Sequence, residues 1–118
     1  MTQKQVTING RNYPVIFTLK TLIGFEQITN QSFLKAKLDT TTDRMALVMA
    51  AILAANPDPD LQIEDMQGQG DWAAYVQINK AFAEVMALAA EFFPIPEVEK
   101  GKDPEPTPEA EQEGSPKN

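Results

Sequence analysis

The chain opens on alternation. Val6, Ile8, Tyr13, Val15 and Phe17 are separated by polar or less apolar neighbours, and Asn9-Gly10 stands between the two runs. A period of two places one set of side chains on one face of a strand, and Asn-Gly accepts the positive φ that a tight hairpin turn demands. The pattern predicts a β-hairpin whose five apolar residues share a face, whether the loop has two residues or four. Pro14 has no N–H to donate and suits an edge strand or a bulge. A two-stranded hairpin is not stable alone, so its apolar face has to lie on helices.

After Phe17 the period becomes helical. Thr18 is a candidate N-cap, followed by Leu19, Leu22, Ile23, Phe25 and Ile28. Gly24 within this run costs about 1 kcal/mol against alanine, and close packing on the hairpin would explain its presence. Asn30 tolerates the left-handed conformation that ends a helix, and 31–39 reads as a connection with one short turn after Ser32. Capping residues 40–43 introduce a second helix from Asp43 to Ala55. It is apolar on nearly every side and is the candidate central helix.

Asn56-Pro57-Asp58-Pro59-Asp60 predicts a rigid turn, and 61–66 one or two helical turns capped by Asp60. Gly68 and Gly70 break that segment. Asp71 then caps the longest helix, from Trp72 to Phe93. Its apolar positions, from Trp72, Tyr75 and Val76 to Phe92 and Phe93, cover more than a narrow stripe because Ile78 and Leu88 widen it. A small body leaves part of that surface uncovered, which points to a partner or to self-association as a homo-oligomer. The candidate partner-binding residues are Trp72 and Tyr75 at one end, Phe92 and Phe93 at the other, and Met86 between them.

The fold class that follows is mainly α with a short N-terminal β-hairpin (α+β). A small helical bundle occupies residues 1–93. From Pro94 the chain turns acidic and rich in proline and glutamate, so residues 94–118 are expected to form a disordered tail.

Charge and composition narrow the functions. The net charge is -7; residues 1–93 hold ten acids and seven bases, and the tail holds seven acids and three bases. That sign disfavours nucleic acid and anionic membrane surfaces. The longest uncharged run, between Arg44 and Asp58, is thirteen residues, shorter than the roughly twenty that a membrane span needs. A cytoplasmic location is expected. With no cysteine and no histidine, thiolate chemistry and the commonest general base and metal ligand are missing. The expectation is a binding protein, not an enzyme, with no cofactor and no metal.

Two local patterns invite chemistry and fail it. The acids of 58–65 lack the glycine sixth and glutamate twelfth of a calcium loop, since Leu61 and Gln67 stand there. Gly68-Gln69-Gly70-Asp71-Trp72-Ala73 matches G-x-G-x-x-A, but no buried strand precedes it.

The run from Ile8 to Val15 leads through Leu22 to Phe25-Glu26-Gln27-Ile28-Thr29-Asn30-Gln31-Ser32-Phe33. This region resembles the N-terminal part of tail assembly chaperones encoded by long-tailed bacteriophages and prophages. Their pattern is a short strand or hairpin, a helix with a Phe-Glu pair, a helix stop and then Ser-Phe. Asn30 replaces the usual glycine of that stop. The resemblance covers 4–33 by pattern and 40–93 by architecture. It implies a chaperone that binds the tape measure protein, keeps its apolar helices dispersed, helps recruit tail tube subunits and leaves before the virion is finished. In many such phages a frameshifted longer form exists. Lys117-Asn118 can be encoded by AAA AAC, which after a codon ending in A would be a slippery heptamer. The competing readings are a generic acidic adaptor or secretion-type chaperone, and a minor structural tail protein.

Overall fold

In a computed structural model, which describes residues 2–93, the elements follow the order β1 (Lys4–Ile8), β2 (Arg11–Val15), α1 (Leu19–Thr29), α2 (Thr41–Ala55) and α3 (Trp72–Phe92). Two short 3-10 turns, Phe33–Lys35 and Ile63–Gln67, fill the long connections. The body is therefore a small helical one with an N-terminal hairpin. The expected boundary at Pro94 and the expected disorder of 94–118 lie outside the described residues.

The hairpin takes the two-residue loop. Ile8 pairs with Arg11, and Asn9 and Gly10 both hold positive φ, 53° and 81°, as a type I′ turn requires. Pro14 faces Gln5. Counting from the bonded pair beside the turn, this is a non-hydrogen-bonded pair, so the missing N–H faces away from β1 and costs the ladder nothing. The five alternating residues are all buried.

α2 lies under β2 and α3 under β1, while α1 packs chiefly on α2. Every residue from Ala46 to Ile52 is buried, as its all-round apolar sequence predicts. Thr40, one residue ahead of the helix, accepts the Asp43 N–H at 3.1 Å. α2 consequently starts two residues earlier than expected.

Packing corrects three other expectations. Gly24 approaches α2, not the hairpin: a Cβ there would stand 3.3 Å from the Ala50 Cβ. The turn at 63–67 is capped by Asp65, whose carboxylate accepts the Gln62 N–H at 2.8 Å. Asp60 instead faces Arg11 across 3.5 Å. On α1, Thr21 takes the inward position: its hydroxyl donates to the Ile16 carbonyl at 2.9 Å and accepts the Thr18 N–H at 3.0 Å. With Thr21 and Phe25 facing inward, Leu19, Ile23 and Ile28 are left exposed.

The connection after α1 is held from both sides. Asn30 ends the helix at φ 58°. Glu26 accepts the Phe33 N–H at 3.0 Å, and the Phe33 ring meets that of Phe25 edge-on at 5.6 Å. The Phe-Glu pair and the later phenylalanine thus lock the start of this connection to α1. Further on, Arg44 donates to the Leu38 carbonyl and to Asn79 of α3, both at 2.9 Å, with its guanidinium 5.1 Å from the Phe82 ring centroid.

Candidate partner-binding surface

α3 decides which side chains are left for a partner. Ala74, Ile78, Ala81, Val85, Leu88 and Ala89 turn inward. This inner stripe includes Ile78 and Leu88, so the apolar set read from the sequence divides between core and surface. Asp71 caps the helix by accepting the Ala74 N–H at 3.1 Å, and this fixes the rotation of its first turn. Trp72 is then 74% exposed, and Tyr75, one turn on, is also exposed. The two rings lie 5.1 Å apart at 30°, forming one continuous aromatic surface.

The remaining expected residues divide differently. Phe93 is half-buried within a group of phenylalanines, with its ring 5.9 Å from that of Phe33 and nearly parallel to it. Phe92 packs on Phe17 at 5.3 Å but keeps an exposed edge. Met86 is half-buried against the core. The structure does not gather these five side chains into one patch. Twenty residues of helix separate Trp72 from Phe92, about 30 Å at the helical rise. Trp72 and Tyr75 face solvent; Phe93 and Met86 contribute mainly to packing.

Exposed apolar side chains also occur where the sequence reading did not place them. Leu19 and Ile23, four residues apart, share the outer face of α1, and Leu34 in the first 3-10 turn is 81% exposed. The available signal was Thr21: a helix whose inward position carries a threonine has fewer apolar positions left to bury. Ile28 borders a groove of about 300 Å³ with Met49, Leu53 and Ile63.

Of the acids of 58–65, Asp65 caps the 3-10 turn and Asp60 faces Arg11. Among the described residues no three potential ligands gather closely enough to hold a metal ion. No carboxylate among them is buried. Gly68 and Gly70 take positive φ, 53° and 72°, between the second 3-10 turn and α3, so no strand feeds the helix as a dinucleotide site requires. No helix among the described residues is long and apolar enough to cross a membrane. No family model, curated protein or solved structure matches the chain.

Proposed function

We propose that the chain is a tail assembly chaperone of the kind found in long-tailed phages and prophages. In this reading it binds an apolar helix of the tape measure protein and helps recruit tail tube protein in the cytoplasm of the bacterial host. It is absent from the mature virion and performs no chemistry of its own. The observation that carries the reading is the Trp72–Tyr75 pair, a large aromatic surface left in water on a body whose core is already filled by the inner face of α3. Exposed paired aromatics favour a binding surface, because burying them on a partner recovers hydrophobic free energy that folding left unused. The pattern across residues 8–33 supplies the specific resemblance.

An amphipathic client helix would lay its apolar face on these rings, and the acidic surface would keep the complex dispersed. The same surface could serve a generic acidic adaptor or secretion-type chaperone. The genes beside this one separate the two readings. Neighbouring tail tube genes and a very long helix-rich gene support the chaperone, and unrelated neighbours contradict it. Presence of the chain in purified particles would indicate a minor structural tail protein instead.

A further inference from the structure

β1 has an uncovered edge. With Ile8 and Arg11 as the bonded pair beside the turn, Lys4, Val6 and Ile8 direct their backbone groups to β2, while Gln5 and Thr7 turn theirs outward. No backbone N–H or C=O of Gln5 or Thr7 bonds to any described residue beyond the hairpin. The end of the hairpin shows what this side of the strand accepts. The Asn9 N–H donates to the side-chain carbonyl of Gln77 on α3 at 2.9 Å. That carbonyl does what the main chain of an added strand would do.

Between this edge and α3 runs a groove of about 380 Å³, lined by Gln5, Thr7, Ala73, Val76, Lys80 and Ala81. One end is closed by the Asn9–Gln77 bond and the other by the Lys4–Glu84 ion pair at 3.4 Å. Two open backbone rungs remain. Glu84 already faces Lys4, whereas Lys80 makes no ion pair among the described residues. Lys80 is thus a cation within the groove that has no acidic partner among the described residues, on a body with an excess of acids.

These features select the occupant. A helix has no spare backbone groups for Gln5 and Thr7. A second copy pairing β1 with β1 would bring its own α3 against the one already beneath this edge. One short extended strand satisfies the rungs and fits above the helix. We propose that the groove binds an extended peptide segment that pairs by backbone with Gln5 and Thr7, sets an apolar side chain over Ala73, Val76 and Ala81, and places a carboxylate against Lys80. This surface is distinct from the Trp72–Tyr75 pair, and the inference stands or falls independently of the tail chaperone reading.

The test is a titration of the isotopically labelled full chain with a capped hexapeptide of alternating valine and threonine carrying one glutamate, read by amide NMR. Saturable shifts at Gln5, Thr7, Val76 and Lys80, with slowed exchange at Gln5 and Thr7, are expected. The same peptide N-methylated at alternate amides should not bind, a control that leaves the protein fold untouched. Lys80→Glu should weaken binding about fivefold, the scale of one exposed charge pair, and a lysine in place of the peptide's glutamate should restore it. Thr7→Pro should abolish binding while preserving the ladder, as Pro14 does on β2. The absence of saturable shifts, shifts centred on Trp72 and Tyr75, or equal binding of the N-methylated peptide would overturn the proposal.

Discussion

Gly24 of α1 lies against Ala50 of α2 so closely that a Cβ on the glycine would stand 3.3 Å from the Ala50 Cβ. Two small residues therefore set the spacing of the two helices. Gly24→Ala gains about 1 kcal/mol in helix propensity and loses a similar amount in crowding, so its stability should stay within about 1 kcal/mol of the parent. Gly24→Leu gains nearly the same propensity, but three further carbons against Ala50 crowd far more, and it should cost about 2 kcal/mol or more net. Denaturant unfolding of the three proteins checks both values.

Among the described residues Thr21 is the one buried polar side chain, and its hydroxyl serves both the Ile16 carbonyl and the Thr18 N–H. Thr21→Val keeps the volume but leaves two backbone groups without that partner. A loss of about 1–3 kcal/mol is expected, with Thr21→Ser recovering most of it. Equal stability of the valine and serine variants would show that the hydroxyl is not needed.

Asn30 holds φ 58° at the end of α1. Glycine adopts this conformation without steric cost and alanine does not, so Asn30→Gly should hold or raise stability and Asn30→Ala should lower it by about 1 kcal/mol. Thermal melts rank the three variants directly.

The aromatic residues should divide by role. Phe33 meets Phe17, Phe25 and Phe93, and Phe33→Ala should cost about 3–5 kcal/mol. Trp72→Ala should change stability by no more than about 0.5 kcal/mol, because the side chain is mostly in water. A large loss for Trp72→Ala would place that residue in the core and remove the basis for a binding surface there.

Much of this architecture was legible from local chemistry. Asn9-Gly10 specified the turn, Thr18 and Asp71 specified helix starts, the capping run 40–43 placed the start of α2 to within two residues, and Asn30 specified a stop, because each acts through its own backbone neighbourhood. What could not be read was the direction in which helices face. Gly24 is tied to Ala50, twenty-six positions away, and nothing local distinguishes that contact from one with the hairpin. Likewise Trp72 and Ile78 look alike as apolar positions on α3, and only the placement of α3 beneath β1 separates the exposed one from the buried one. The candidate site was accordingly half legible: Trp72 and Tyr75 are presented to solvent, while Met86 and Phe93 lean on the core and Leu19, Ile23 and Leu34 emerged only with the fold.

The proposed function sets an apolar helix of a tape measure protein on the Trp72–Tyr75 surface. The most direct measurement is co-expression of the full chain with a candidate tape measure protein from its gene neighbourhood, followed by co-purification of the parent and of the Trp72→Ser/Tyr75→Ser double variant. The expected result is a complex with the parent, keeping the long protein in solution, and its loss with a double variant that remains folded. An equally stable complex with the double variant would contradict the assigned surface, and no complex with the parent would contradict the chaperone function itself.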